Sequence, residues 1–169
     1  TLSSIRNLYN RINKFADEAP LLCDISRDLV SLVGLEKDIA RCISPSAEIL
    51  DDASDYLAQI RRELKNKRQQ ILHKLNALLK SHETEKYIQE PIITERDGRY
   101  VIPVKVETRR EFRGIVHDIS NTGATAFVEP LDTIDLGNEL RELVIEEQHE
   151  IERILMALSE EVGDQEKVI

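Results

Sequence analysis

The sequence predicts a mainly α-helical chain carrying a small inserted antiparallel β module, and three observations lead there. Charged residues make up 33% of the chain and aromatics 4%, with no Trp, a composition that suits long solvated helices better than a sandwich or barrel. Neither Gly nor Pro occurs between Pro45 and Pro91, so nothing interrupts a long helix there. Between that stretch and a second helical run near the C-terminus lies a segment rich in β-branched residues and turn signals. Together they predict two long antiparallel helices with the β module inserted between them, at the far end of the pair.

Residues 1 to about 43 read as helical. Leu2, Ile5, Leu8, Tyr9, Ile12 and Phe15 recur at three- and four-residue spacing and share one face. Asp17-Glu18-Ala19-Pro20 ends that helix, because proline disfavours helical geometry in the residue before it. Leu22, Ile25, Leu29, Leu32 and Val33 rebuild an apolar stripe that Gly34 interrupts, and Leu35–Ile43 forms a short third helix. Ser44-Pro45-Ser46 is a turn signal. Ser54 is a candidate cap for a helix over about 53–82, with Leu57, Ile60, Leu64, Ile71, Leu75 and Leu78 on its seam and Lys67 in one seam position. Such a stripe needs a partner. Leu140, Val144, Glu147, Ile151, Ile154, Leu155, Leu158 and Val162 supply it, again with one polar position, Glu147.

The intervening segment obeys a different rule. Tyr87–Thr94 and Arg99–Glu107 are strand-like, joined by a turn at Asp97-Gly98, a strong hairpin signal. Pro91 and Pro103 argue for edge strands or bulges, since proline cannot donate to a ladder. Gly114–Asp118 and Ala124–Val128 are further strands around a turn at Ser120–Gly123.

Charge is polarised along the chain. The formal net charge is −9, yet Arg61–Lys80 holds seven bases and one acid, while Glu139–Glu166 holds ten acids against Arg141 and Arg153. Opposite charges flanking a helical seam favour pairing, so the basic helix is expected beside the acidic one. No apolar run approaches the roughly 20 residues that cross a bilayer, so no membrane partner is expected. Cys23 and Cys42 lack companion ligand spacing and read as buried reduced thiols of a cytoplasmic protein, with no metal expected. The only Met is Met156, and the chain opens on Thr1; a segment of a longer protein is the simplest expectation.

His117-Asp118 is the most enzyme-like pair. Adjacent strand residues point to opposite faces, however, and no nucleophile stands in a defined relation to them. Asp118 is expected to tie down the following turn, and Glu129-Pro130 to mark the approach to the second long helix. No catalytic residue is predicted, nor a small-molecule substrate. The best binding candidates are Lys105, Arg109, Arg110 and Arg113, because phosphate contacts need charge more than strict spacing. Glu107 and Glu111 interleave with them, so a solvated tip with local ion pairs stays open as the alternative. The bases of the first long helix are explained by pairing with the acidic helix, and Tyr87, Tyr100, Phe112 and Phe127 read as small-core residues rather than a stacking platform.

Tyr100-Val-Ile-Pro-Val-Lys105 and Gly114-Ile-Val-His-Asp-Ile-Ser-Asn-Thr-Gly-Ala-Thr-Ala-Phe-Val-Glu-Pro130 closely resemble the second bacterial MutS paralogue family (MutS-two). So do Ile49-Leu-Asp-Asp-Ala-Ser54, Glu139-Leu-Arg-Glu-Leu143 and Glu150-Ile-Glu-Arg-Ile-Leu155, and the likeness covers nearly the whole chain. The resemblance implies part of a helical core over residues 1–50, a first lever helix over 51–83, a clamp over 84–130 and a second lever over 131–169. It also implies a homodimeric parent, partners among duplex or branched DNA or stalled ribosomes, and clamps moved by an ATPase domain. That domain, with its ATP and Mg²⁺, and a nuclease domain would lie outside these residues. No phosphate-loop motif Gly-x-x-x-x-Gly-Lys-Ser/Thr occurs here, so no cofactor is expected in this chain. A rival class is a mechanical or dimer-forming scaffold whose tip meets protein.

Overall fold

The computed structural model describes residues 2–15, 17–26 and 29–166. Helices α1 (Leu2–Lys14), α2 (Pro20–Ile25), α3 (Val33–Cys42), α4 (Asp55–Leu79) and α5 (His82–Glu85) precede strands β1 (Thr94–Arg96), β2 (Arg99–Lys105), β3 (Gly114–Ile119) and β4 (Thr125–Pro130), and α6 (Leu131–Asp164) follows. The chain divides into two compact units, Thr1–Ala58 with His149–Ile169, and Gln59–Gln148. The long helices α4 and α6 therefore contribute residues to both.

In the first unit Cys42, Ala53, Leu57, Ile154 and Leu158 form the buried cluster, flanked by Ile39, Ile43, Ile49 and Ile151. The expected turn at Ser44–Ser46 closes with an Ala47 N–H to Ser44 carbonyl bond of 2.9 Å, and a bridge joins Ile43 to Ile49. Ser54 caps α4 as expected: its Oγ accepts from the Leu57 N–H at 2.9 Å, and it donates to Glu150 Oε1 at 2.6 Å. The stripe expected over Leu22–Val33 is not one helix. α2 stops at Ile25 and α3 starts at Val33, with Gly34 inside its first turn. Residues 27 and 28 of that stretch lie outside the described residues, as do residues 167–169 of the expected second long helix. α1 and α2 bury no residue. Cys42 is buried, whereas Cys23 is only partly so; both thiols are free.

The second unit holds the sheet, in the order β1-β2-β4-β3 with antiparallel pairs throughout. Its core joins Ile60, Leu64, Ile71 and Leu75 of α4 to Ile102, Val104, Ala126 and Val128 of the sheet and Leu140 of α6. Partners across the two helices recede along α6 as they advance along α4. Arg61 Nε meets Glu147 Oε1 at 2.8 Å, Lys67 pairs with Glu139, and Lys74 Nζ donates to the Asp132 carbonyl at 2.9 Å. The helices are thus antiparallel here, and the polar seam residues Lys67 and Glu147 both find a charge across the seam.

Three expectations change. Residues 87–93 were expected to be strand, but only an isolated bridge, Ile88 to Val104, forms there, and Pro91 lies in the irregular remainder. Pro103 sits in the central strand β2, opposite Phe127, not at an edge. A strand residue's nitrogen and carbonyl face the same neighbour. The Pro103 carbonyl accepts from the Gln89 N–H (2.9 Å), so its donorless nitrogen faces the irregular segment and no β4 bond is lost. Finally, the Asp97-Gly98 turn lines a cleft with Arg68, Leu140, Arg141 and Val144, and Arg99 reaches Asn138 Oδ1 at 2.7 Å. Within this unit the sheet lies along the helix pair rather than beyond its end, because the apolar stripe of two helices still needs a third layer.

Candidate functional site

The segment that links β2 to β3 carries the basic cluster. After Lys105 the chain makes a 3-10 turn over Val106–Thr108, closed by Thr108 Oγ1 donating to the Lys105 carbonyl at 3.1 Å. The Phe112 N–H bonds back to the Thr108 carbonyl, and the Leu131 N–H to the Arg113 carbonyl. Phe112 is buried and meets Tyr87 edge-on, with ring centroids 6.1 Å apart. This anchor pins the loop that carries the three arginines. Arg110 and Arg113 are exposed and Arg109 is half-buried. Among the described residues none forms an ion pair with these three arginines. Lys105 differs: it is half-buried, and its Nζ donates to the Lys86 carbonyl at 3.2 Å.

That bond reveals a neighbour which the sequence reading missed. His82, Lys86 and Arg113 line one cleft of about 660 Å³ with Tyr87, Phe112 and Asp132. Lys86 Nζ stands 4.5 Å from the Tyr87 ring centroid. A hydrogen bond with Tyr87 holds its pKa above the ordinary lysine value, so the group stays cationic. Lys86 is some twenty residues from Arg109 in sequence, and the Ile88–Val104 bridge, with backbone bonds from Gln89 to Pro103 and from Lys105 to Tyr87, brings the two stretches together. Glu83 and Glu111 share the cleft, so its rim is mixed in sign.

His117 and Asp118 part as expected, with a bulge between Val116 and Asp118. Asp118 Oδ1 accepts from the Ile119 N–H at 2.7 Å, and its Oδ2 lies 3.3 Å from Arg96 Nε. His117 turns instead to Glu129, Nε2 to Oε2 at 2.7 Å, and Arg99 meets the other oxygen at 3.2 Å. Glu129 is 3% exposed, so its charge must be met internally, and it is met twice. The cluster ties β2, β3 and β4 together, and Arg99 extends it to α6.

In structural class, the chain is a mainly helical protein whose small antiparallel sheet carries a loop of arginines without an ion-pair partner among the described residues, with His117 of its most enzyme-like pair used as a brace. No family model matches the chain. Curated proteins do. It is 45% identical over 159 residues to "Endonuclease MutS2" of Pelotomaculum thermopropionicum, covering 94% of this chain and 20% of the relative. The protein of the same name from Caldanaerobacter subterraneus subsp. tengcongensis is 46% identical over 157 residues, covering 93% and 19%. That of Alkaliphilus metalliredigens is 43% identical over 165 residues, covering 96% and 21%. The chain belongs to the MutS2 family and spans about a fifth of the length of these relatives.

Proposed function

We propose that this chain is the non-catalytic arm of a MutS-type ATPase and that it engages nucleic acid. In this reading residues 1–50 are part of a core, 51–83 and 131–169 are lever helices, and 84–130 is the clamp. Nucleotide-driven changes in an ATPase domain outside the chain move the clamp through the levers, and the partner is duplex or branched DNA or a stalled ribosome. ATP and Mg²⁺ act elsewhere in the parent, as does any nuclease step of the kind named in its relatives.

The observation that carries this reading is the loop after β2. Arg109, Arg110 and Arg113 project from an anchored turn without a carboxylate among the described residues to neutralise them. Local ion pairs with Glu107 and Glu111, the bland explanation, do not form. Replacing the three arginines with alanine in the protein at its natural length is expected to weaken binding. The slope of log affinity against log salt should flatten by about 0.9 per lost contact on duplex DNA. Melting should hold, since exposed changes cost about 0.5 kcal/mol or less each. Titrations against duplex DNA, branched DNA and ribosomes, with and without nucleotide, choose the partner. Unchanged affinity and slope in the triple variant would remove the loop from recognition.

A scaffold reading has one observation in its favour. β3 is an edge strand, and Ile115, Val116 and Ile119 on it are exposed, as suits a contact with protein. Sedimentation of the chain with and without a charge at Val116 tests it; association lost in the charged variant favours the scaffold.

A further inference from the structure

Arg68 of α4 and Arg141 of α6 line one cleft of about 460 Å³ with Glu95 and Asp97 of the β1–β2 hairpin. All four residues are exposed, and among the described residues no hydrogen bond or ion pair reaches any of the four side chains. Local sequence explains why the arginines lack a partner on their own helices. The positions three and four residues from Arg68 hold Leu64, Lys65, Ile71 and Leu72, and those around Arg141 hold Gly137, Asn138, Val144 and Ile145, with no acid in either set. The bases of the hairpin are committed elsewhere: Arg96 Nε lies 3.3 Å from Asp118, and Arg99 is held by Glu129 and Asn138. Two cations and two anions therefore line one cleft unpaired. Exposed Val144 lies among them, and exposed Ile145 follows it on α6.

We propose that this cleft is a self-complementary contact surface whose occupant is a second copy of the chain, docked about a two-fold axis. In such a contact residue i of one copy meets residue j of the other and j meets i, so every pair forms twice. Arg68 and Arg141 of each copy then meet Glu95 and Asp97 of the other. A ligand of one sign would satisfy one wall of the cleft and be repelled by the opposite wall. That disfavours a phosphate backbone here and sets this surface apart from the arginine loop after β2. A rotated copy carries both signs at the required spacing by construction, and arginine–carboxylate pairs fix its orientation. Val144 and Ile145 add apolar surface that a second protein surface covers and a small polar ligand leaves wet. The net charge of −9 on each copy opposes the contact only weakly. Exposed charges are screened over about 8 Å at physiological salt, and the four charges of each face cancel. A patch this small makes a weak, salt-sensitive contact. It involves neither the β3 edge nor the nucleic-acid reading above.

A two-fold axis that exchanges the two walls passes midway between them, over the cleft, so Val144 of one copy comes close to Val144 of the other. The test is disulfide trapping in the protein at its natural length. Val144→Cys is the probe position and Gln70→Cys, about 200° around α4 from Arg68, is the control. Linked dimers are read on non-reducing gels, and mass spectrometry of the linked peptides locates the bond. Two wall variants are added to the probe: Arg68→Glu with Arg141→Glu, and Glu95→Lys with Asp97→Asn. The first exchanges one good helix former for another, and Asn tolerates the positive φ of 50° at residue 97, so circular dichroism and melting should be retained. The expected result is linking at residue 144 at least ~tenfold faster than at residue 70 in about 0.1 M salt, and slower in about 0.5 M. Either wall variant should slow linking by a similar factor. Mixing the two variants, or joining all four substitutions in one chain, should restore it. Linking at 144 no faster than at 70, or unchanged by both wall variants, overturns the proposal. Duplex DNA affinity lost in Arg68→Glu with Arg141→Glu, with linking unaffected, would assign the arginines to nucleic acid and overturn it too.

Discussion

Ser54 links two kinds of local order. Its hydroxyl satisfies an orphan N–H of α4 and at the same time donates to Glu150, which is 5% exposed and also receives Arg153 at 2.6 Å. Ser54→Ala should cost about 1 kcal/mol through the cap alone. A double-mutant cycle with Glu150→Gln should show coupling, because the two residues share one hydrogen bond. The Arg153 hydrogen bond holds the Glu150 pKa below its ordinary 4.5, against burial that would raise it, and Ser54 assists. A depressed folded pKa means that the stabilisation is complete above about 4.5 and is lost as pH falls through the folded value. Denaturant melts followed from pH 7 downward should thus steepen below pH 4.5 in the wild type, and less in Glu150→Gln. Identical acid profiles would show that the buried carboxylate carries no such linkage.

Glycines in α6 make a test at the level of the element. In an exposed helix interior Gly→Ala gains about 1 kcal/mol by helix propensity. Gly163 has open space around the position of an added Cβ but stands next to the last residue of α6, so Gly163→Ala should stabilise by only about 0.3 kcal/mol. Gly137 does not: its Cβ would lie 2.5 Å from Glu129 Oε1 and 2.8 Å from Arg99. Those atoms end flexible side chains, but here they are held by His117, by Asn138 and by each other, so moving them opens a buried ion pair. Gly137→Ala should therefore lower the melting temperature while Gly163→Ala raises it. Equal gains at both sites would mean that the Arg99–Glu129–His117 brace can re-form around a methyl group.

At the scale of the molecule the two units differ in how much they bury. Val101, Ile102, Val104, Ala126 and Val128 are wholly buried in the sheet, whereas α1 and α2 bury nothing. Leu8, Phe15, Leu21, Leu22 and Ile25 are exposed in that first unit. Local opening follows burial and hydrogen bonding, so amide exchange should be slowest in β2 and β4 and fastest in α1 and α2. Uniform protection across both units would contradict this ordering. Among the described residues no helix is long and apolar enough to cross a membrane.

Much of this fold was legible in the sequence because its signals are local. The α4 seam, the Ser54 cap and the Asp97-Gly98 turn involve residues at most four apart. Asp97 and Gly98 take the positive φ values of 50° and 76° that the hairpin turn requires. The α6 seam was legible only in part. Leu140, Ile154 and Leu158 are buried, but Val144, Leu155 and Val162 face solvent, because periodicity alone does not choose between neighbouring helical stripes. What lay beyond reading was set by partners distant in sequence. Pro103 is tolerated in a central strand because of which neighbour its nitrogen faces. His117 meets Glu129 through a bulge that shifts the β3–β4 register, and Lys86 comes beside the arginine loop through a bridge and backbone bonds made between residues 87–89 and 103–105. The bases of α4 look alike in sequence; packing against α6 decided that Arg61, Lys67 and Lys74 meet a partner there. The sequence by itself determined the helices, the turns and the family, since each follows from neighbouring residues or from direct likeness. The tertiary structure alone decided the pairing of charges, because a buried or seam charge is fixed by whatever group the folded chain brings within a few ångströms of it.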